Sequence, residues 1–393
     1  VRVINTSLLQ TDWYIDQMKR QAYQSTPIPG QLVHKQYAHG VREAIYYQKR
    51  TDNRWNIKDF VNWITSDDPS TRSSRGAGEY KQDFYYYPTN KLRIPVNKEN
   101  VLKSGIVKPE DADKIVDYID ITLPGAIDKA RIVMLDILAN NDWKRPIYFT
   151  GGSMDAAEYL WMKDYLQLDG LVYKLVPIKT PIDKNNPYDM GRIDSELMYN
   201  IVKRWTWGNM GKEGIYLDPE TRKNSIIFRG NLARLTEQLI AEGKTAKASE
   251  IIDIAMKNMP VDAYGYYFTL DPFIEGSYKV GKKEQARAIA LQVIKKYQEE
   301  LNYYTHLPAG ELNSNAKRIQ YCIDRYGEVV MLSETLDKEF YNAQWAIFKD
   351  KAGLFMGEKE LEEYFKGAAS QAALDSLRNT LIDTTATSDS TEE

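Results

Sequence analysis

The sequence predicts an α/β layered domain with a mainly parallel, incomplete sheet, followed by an all-α domain of helical hairpins. Three observations lead to this prediction. Strand and helix patterns alternate over residues 1–195, and helical spacing replaces them over 196–382. Residues 383–393 are Thr, Ser and acidic residues with one Ala. A length of 393 residues also suits two domains of ordinary size. We therefore expect domains at 1–195 and 196–382, and a disordered acidic tail at 383–393.

The composition is that of a globular protein. Lys and Arg number 52 against 55 Asp and Glu, a net charge of −3, which does not predict a nucleic-acid surface. No apolar run approaches the roughly 20 residues of a membrane span. Cys322 is the single cysteine, so a disulfide within the chain and a cysteine metal cage are both excluded. It lies on an apolar helical stripe, and we expect it in the core.

Apolar residues of the first half alternate or recur at helical spacing. In chain order they predict a strand over 1–9, a helix that begins at Thr11 or Asp12, a helix over 54–64, strands over 92–96 and 119–123, and a helix carrying Ala130 and Leu138. Pro95 indicates a strand edge or a bulge. Because the chain opens on a strand pattern without an initiator Met, we expect Val1 to be a cut point inside a longer gene product. We therefore also expect the sheet to lack an upstream neighbour.

Residues 146–177 give the clearest single pattern. A strand over 146–150, a helix through Tyr159 and Tyr165, and a strand over 171–177 follow one another within about thirty residues. This order predicts a right-handed βαβ crossover, and hence parallel strands.

The second half shows two similar helical hairpins. Gly243 and Gly281 each close a first helix, and Ala248 and Ala286 follow them by five residues. Small residues at these offsets resemble the tetratricopeptide repeat, in which they allow close helix packing. Further helices are predicted over 319–332, 340–349 and 358–365. We expect a tetratricopeptide-like array.

Two candidate contact regions emerge. Thr150, Gly151, Gly152 and Ser153 lie between a strand and a helix start, where backbone N–H groups can face an anion; a tight turn without a ligand is the simpler interpretation. The second region is a set of aromatic residues, which suit either a contact surface or packing between hairpins. They are Trp205, Trp207, Tyr264, Tyr266, Tyr267, Tyr303 and Tyr304.

The other motifs predict no reaction centre. His34 and His39 are five residues apart, so they share neither a helix face nor a strand face, and we expect loop histidines rather than a metal site. Residues 66–80 have the Ser, Gly and charge content of a solvated surface loop. We expect no metal and no cofactor.

Three strings carry a family resemblance: NTSLLQTDWYIDQ at 5–17, RPIYF at 145–149 and YLQLDGLVYKLVP at 165–177. They resemble the soluble C-terminal portion of a bacterial family of multi-spanning membrane proteins related to protein O-mannosyltransferases. The resemblance implies a membrane glycosyltransferase that uses a lipid-linked sugar and holds its catalytic acid in the transmembrane part. No catalytic residue carries over to this chain, which would face the periplasm.

Two functional classes stay open. The first is a non-catalytic domain that binds the acceptor polypeptide or glycan, or supports the membrane core of its own chain. The second is a self-contained α/β enzyme acting on a sugar or nucleotide at residues 150–153. An enzyme needs a deep pocket with convergent polar groups at that turn, whereas a binding domain is expected to show an aromatic groove on its helices.

Overall fold

The computed structural model describes residues 1–76, 81–151, 155–182 and 190–367. These residues form two compact units. The α/β unit holds residues 1–168, 172–182 and 190–192, and the helical unit holds residues 169–171 and 193–367. Gly152, Ser153 and the predicted tail at 383–393 lie outside the described residues.

The α/β unit alternates short strands with helices. Its strands are β1 (Ala44–Tyr47), β2 (Trp55–Asn56), β3 (Arg72–Arg75), β4 (Gln82–Tyr87), β5 (Lys91–Pro95), β6 (Tyr118–Thr122), β7 (Ala126–Asp128), β8 (Tyr148–Thr150), β9 (Leu166–Asp169) and β10 (Val172–Leu175). Its helices are α1 (Asp12–Met18), α2 (His34–Tyr37), α3 (Ile57–Thr65), α4 (Lys98–Lys103) and α5 (Lys129–Asn141).

The prediction of a mainly parallel sheet is wrong. The strands make three small sheets, in the orders β3-β4-β1-β7, β2-β5-β6 and β8-β10-β9. Strand β1 runs parallel to β4, and β2 to β5. The pairs β1–β7, β3–β4, β5–β6 and β8–β10 are antiparallel. The sheets are therefore mixed.

The predicted βαβ crossover is also wrong. Strands β8 and β10 are antiparallel neighbours, with Phe149 opposite Tyr173. The expected helix between them is replaced by 3-10 turns at Ala156–Tyr159 and Lys163–Tyr165. Leu160 and Trp161 separate these turns with φ of 52° and 60°, a left-handed conformation that a right-handed helix cannot contain.

Two smaller predictions in this unit fail as well. Residues 1–5 form no strand, and Val1 and Val3 are exposed; a 3-10 turn follows at Leu8–Gln10. Strand β5 lies between β2 and β6 rather than at an edge. Pro95 is tolerated there because it is the last residue of the strand.

One core unites the elements of the α/β unit. Ile45 of β1, Phe60 of α3, Leu92 of β5, Ile119 of β6 and Leu135 of α5 are all fully buried in it. The predicted helices near residues 12, 54 and 130 are present as α1, α3 and α5, although α3 begins at Ile57 because residues 55–56 form β2. Helices α1 and α3 place an apolar stripe on this core, whereas α5 is buried on most of its sides.

The helical unit confirms the helical spacing of the second half. Its helices are α6 (Ser195–Val202), α7 (Pro219–Ala241), α8 (Thr245–Asn258), α9 (Val261–Tyr264), α10 (Asp271–Lys279), α11 (Lys283–Tyr304), α12 (Ala309–Ser314), α13 (Ala316–Met331), α14 (Lys338–Ala352) and α15 (Glu358–Gly367). Helix α8 packs on α7, and α11 packs on α10 and α13. Cys322 is buried in α13, as predicted.

Asp337 is a buried carboxylate of the helical unit. It caps α14 at the backbone N–H of Phe340 and accepts hydrogen bonds from Arg287 Nε at 2.6 Å and Nη2 at 2.9 Å. Lys283 Nζ lies 3.1 Å away. The hydrogen bonds from Arg287, with those from Lys283 and Phe340, hold the pKa of Asp337 well below its ordinary value.

Acid is therefore expected to weaken the helical unit through Asp337. Because its pKa is lower in the folded chain than in the unfolded one, this stabilisation is complete above about pH 5 and is lost as pH falls further. Asp337→Asn is expected to lower the free energy of unfolding at pH 7. This free energy is then expected to fall less between pH 5 and pH 2 than it does in the wild type. Urea unfolding at several pH values measures both effects.

Glu284→Gln is the control, since Glu284 is exposed in α11 and has no ion-pair or hydrogen-bond partner among the described residues. If the stability of Asp337→Asn depended on pH in the same way as that of the wild type and of Glu284→Gln, Asp337 would not be a source of the acid sensitivity.

Candidate functional site

Helix α3 has two different faces. Ile57, Phe60, Val61 and Ile64 are buried against the core. Asp59, Asn62, Trp63 and Ser66 recur at steps of three and four residues, and so lie together on another face. Asn56 starts the helix, since its side chain accepts a 2.9 Å hydrogen bond from the N–H of Lys58.

Two tryptophans meet at the start of this face. The ring centroids of Trp55 and Trp63 lie 5.6 Å apart, with the planes at 66°. Trp55 is held by the pairing of β2 with Leu92 of β5, and Trp63 by a 2.7 Å hydrogen bond from its Nε1 to the carbonyl of Tyr86. Both side chains are half-buried. They therefore form a fixed aromatic corner that is still open to solvent.

A groove of about 360 Å³ runs along this corner. It is lined by Trp55, Asp59, Asn62, Trp63, Ser66, Asp68, Ser70 and Thr71. The last three residues come from the segment just after α3, where Asp68 caps a 3-10 turn at Pro69–Thr71. We call this feature the tryptophan groove.

The polar lining of the tryptophan groove is anionic and neutral. A 2.8 Å hydrogen bond from the backbone N–H of Ser70 is the main cause that lowers the pKa of Asp68, so this carboxylate is charged at neutral pH. Asp59 has no hydrogen-bond or ion-pair partner in the described part of the chain. No Lys or Arg belongs to the described lining. The groove is suited to groups that donate hydrogen bonds, and unsuited to phosphates.

The turn at residues 150–153 is described only in part. Thr150 is exposed at the end of β8, and a Cβ at Gly151 would lie 3.1 Å from the Tyr173 ring. Packing against Tyr173 therefore accounts for a glycine at position 151. A second cavity, of about 10 Å³, lies among Ile106, Leu138, Asn141, Trp143, Arg145, Ile147 and Leu175. It has room for about one water and does not include the turn.

The predicted aromatic residues of the helical unit fall into different environments. Tyr264 and Tyr304 are buried, and the Tyr264 hydroxyl donates to the carbonyl of Met210. Trp205 and Trp207 pack on each other with centroids 5.4 Å apart, and both contact Phe228. The other members are Tyr266 and Tyr267, both half-buried, and Tyr303, which is 60% exposed. A contact surface formed by these residues stays a prediction.

The histidines take part in local hydrogen bonds. His34 Nδ1 lies 2.9 Å from Asp16 Oδ2, and the Tyr37 hydroxyl donates to the other oxygen of Asp16 at 2.7 Å. His39 is exposed. The described residues contain no group of three or more His, Cys, Asp or Glu that is arranged to hold a metal ion.

Sequence reasoning missed the tryptophan groove. The sequence pattern places Trp55 and Trp63 among the apolar residues of a helix, and it favours a surface loop over a lid at 66–80. In the structure Arg72–Arg75 form β3, and residues 77–80 lie outside the described residues. The sequence does contain one indication of the groove, which is the polar stripe of Asp59, Asn62, Trp63 and Ser66. A large aromatic residue within a polar helix face is expected to be partly exposed to solvent.

The fold and groove define a mixed α/β module with an open surface site, followed in the chain by a helical region. The family model described as TMEM260-associated domain 2 matches residues 1–197, and the chain belongs to that family. No curated protein and no solved structure gave a match. Within the described residues, no helix has the length and apolar character needed to cross a membrane.

Proposed function

We propose that this chain is a non-catalytic, periplasm-facing part of a membrane glycosyltransferase, and that it binds the acceptor polypeptide or supports the membrane core. The tryptophan groove is the observation that carries the proposal. It is an open surface with a fixed aromatic corner and polar groups, as expected of a site that holds a chain in place rather than one that encloses a reaction.

The family assignment supports the link to glycosyl transfer. TMEM260 is a protein O-mannosyltransferase-like protein, and the three strings at 5–17, 145–149 and 165–177 all fall within the matched residues 1–197. We extend the proposal to the bacterial family that these strings resemble, and to its periplasmic location.

The helical unit is proposed to be tetratricopeptide-like. Gly243 and Gly281 follow α7 and α10 with φ of 72° and 81°, a conformation that favours glycine. Ala248 and Ala286, five residues later, are fully buried. A Cβ at Gly276 would lie 3.2 Å from Thr236, so α10 and α7 approach closely there. These contacts suit a stack of hairpins that offers a second surface to a polypeptide.

Binding of a Ser- and Thr-rich polypeptide, the acceptor chemistry of O-glycosylation, tests the proposal. Isothermal titration is expected to show binding to the wild-type chain and a loss of about 30-fold in Trp63→Ala, because a central tryptophan anchor contributes about 2 kcal/mol or more. Circular dichroism checks that Trp63→Ala is folded. The isolated chain is expected to transfer no sugar from a lipid-linked donor to the same polypeptide.

Trp13→Ala is the matched control, since Trp13 is a tryptophan of the same unit that is 56% exposed and does not line the groove. If Trp63→Ala and Trp13→Ala bound the polypeptide with equal affinity, the groove would not be the polypeptide-binding site. Sugar transfer by the isolated chain would contradict the non-catalytic role.

A further inference from the structure

We propose that the tryptophan groove binds a neutral hexopyranose, with the sugar packed on the aromatic corner and its hydroxyl groups hydrogen-bonded to Asp59, Asn62 and Asp68. This inference rests on the proposed function, because it names the chemistry that the same groove recognises. In that setting the sugar belongs to the glycosylated acceptor.

The aromatic corner fits the apolar face of a sugar ring. Trp55 and Trp63 are half-buried and meet at 66°, so the exposed parts of their rings face a ligand from two directions. Tryptophan presents a large apolar surface with few rotatable bonds, and therefore loses little conformational entropy when it contacts a ligand. Its position is already fixed here by the hydrogen bond from Trp63 to Tyr86.

The charge of the lining argues against anions. Asp59 and Asp68 are the charged members of the described lining, and no cation balances them there. A nucleotide, or the phosphate of a lipid-linked sugar, would lie beside two carboxylates without a compensating Lys or Arg. A neutral polyol is not subject to this repulsion.

The free polar groups distinguish a sugar from a cationic side chain. Asp59 offers acceptors, while the indole N–H of Trp55 and the amide NH₂ of Asn62 are donors without a partner in the described part of the chain. The oxygen of Asn62 is already used, since it accepts from Gln31 Nε2 at 3.0 Å. An ammonium or guanidinium group only donates, whereas a sugar hydroxyl both donates and accepts. Only the hydroxyl satisfies both kinds of group.

The size of the groove is consistent with this ligand. Its volume of about 360 Å³ lies at the lower end of the range of small-molecule sites. The open side allows the rest of a glycosylated chain to continue into solvent.

Ligand-observed NMR and calorimetry with methyl glycosides of mannose, glucose and galactose test the inference. At least one glycoside is expected to bind the wild-type chain. Asp59→Ala is expected to weaken that binding about tenfold or more, the loss typical of a hydrogen bond to a charged group. Asp59 is exposed and has no hydrogen-bond or ion-pair partner among the described residues, so this substitution is expected to leave the fold intact. Binding is expected to be unchanged by added salt, since the ligand carries no charge.

Glu99→Ala is the matched control, because Glu99 is an exposed acidic residue in the first turn of α4, as Asp59 is in α3. Absence of glycoside binding to the wild type would overturn the inference, as would an equal loss in both variants. Competition by a Lys-rich peptide whose binding falls with salt would overturn it too, since the groove would then be a cation site.

These results separate the inference from the proposed function. A groove that binds unglycosylated polypeptide but no glycoside overturns the sugar assignment and leaves the acceptor-binding role in place. Glycoside binding together with sugar transfer by the isolated chain upholds the sugar assignment and overturns the non-catalytic role.

Discussion

Asp271→Ala is expected to lower the free energy of unfolding of the helical unit by about 3 kcal/mol or more, the cost of breaking a buried ion pair. Asp271 Oδ2 lies 2.7 Å from Arg325 Nη2, and both side chains are only 4% exposed. Burial alone would lower the pKa of Arg325, but the attraction of Asp271 and Glu328 raises it well above its ordinary value. Without Asp271 the guanidinium stays charged and buried, and among the described residues it keeps an ion pair with Glu328. Urea unfolding followed by helical circular dichroism measures the loss.

Asp253→Ala provides the comparison. Asp253 Oδ2 lies 2.6 Å from Lys282 Nζ in the same unit, but the two side chains are 51% and 36% exposed. Its removal is expected to cost less than about 1 kcal/mol, because water solvates both charges in the unfolded and the folded chain. The double variant Asp271→Ala with Arg325→Met is expected to regain part of the loss, since the buried guanidinium that Asp271 neutralised is removed as well. Equal effects of Asp271→Ala and Asp253→Ala would show that burial of the pair contributes nothing.

This pair also shows how far the sequence predicts the helical unit. The apolar stripes of α8 and α11 were evident, because helical spacing depends only on neighbours in the chain. An Asp directly before a Pro is the sequence pattern of an N-cap, but Asp271 is the first residue of α10 and Leu270 is at the cap position. Its partner Arg325 lies 54 residues further along the chain. Such a pairing follows from the packing of α11 against both α10 and α13, which no local pattern contains.

The α/β unit was less predictable for the same reason. Four of the five predicted strands are present, as β5, β6, β8 and β10, since alternation of apolar residues is local, as in β6 with Ile119 and Ile121 buried. The sequence did not predict the other six described strands, most of which are two to four residues long. Whether two strands pair in parallel or antiparallel depends on the segment that connects them. Left-handed Leu160 and Trp161 interrupt the expected helix between β8 and β10, and neither residue type normally indicates that conformation.

The candidate site shows a third limit. The polar stripe of α3 is readable in the sequence, but the groove also needs Trp55 from β2 and the segment capped by Asp68. Bringing these three elements together requires the pairing of β2 with β5. The family resemblance did not indicate the groove, since its three strings lie outside residues 55–71.

Arg229→Leu is expected to destabilise the helical unit by at least about 3 kcal/mol, because several buried acceptors lose their donor at once. Arg229 of α7 is fully buried. Its guanidinium donates to the carbonyls of Met259 at 2.9 Å and Gly265 at 2.7 Å, and to the Thr269 hydroxyl at 3.2 Å. Met259 and Gly265 follow the last residues of α8 and α9, so one cation neutralises the negative ends of two helices. Urea unfolding at pH 7 measures the effect.

Arg229→Lys separates the charge from the geometry. Burial lowers the pKa of Arg229 to about 10, so the guanidinium is still charged at neutral pH. Lysine keeps a cation at the two helix ends but lacks the planar fork that reaches both carbonyls. The expected cost of Arg229→Lys is therefore smaller than that of Arg229→Leu. It is also clearly above that of an exposed substitution in α7 such as Asn224→Ala, for which less than about 0.5 kcal/mol is expected. If Arg229→Leu were as stable as Asn224→Ala, the ends of α8 and α9 would be held by their apolar contacts alone.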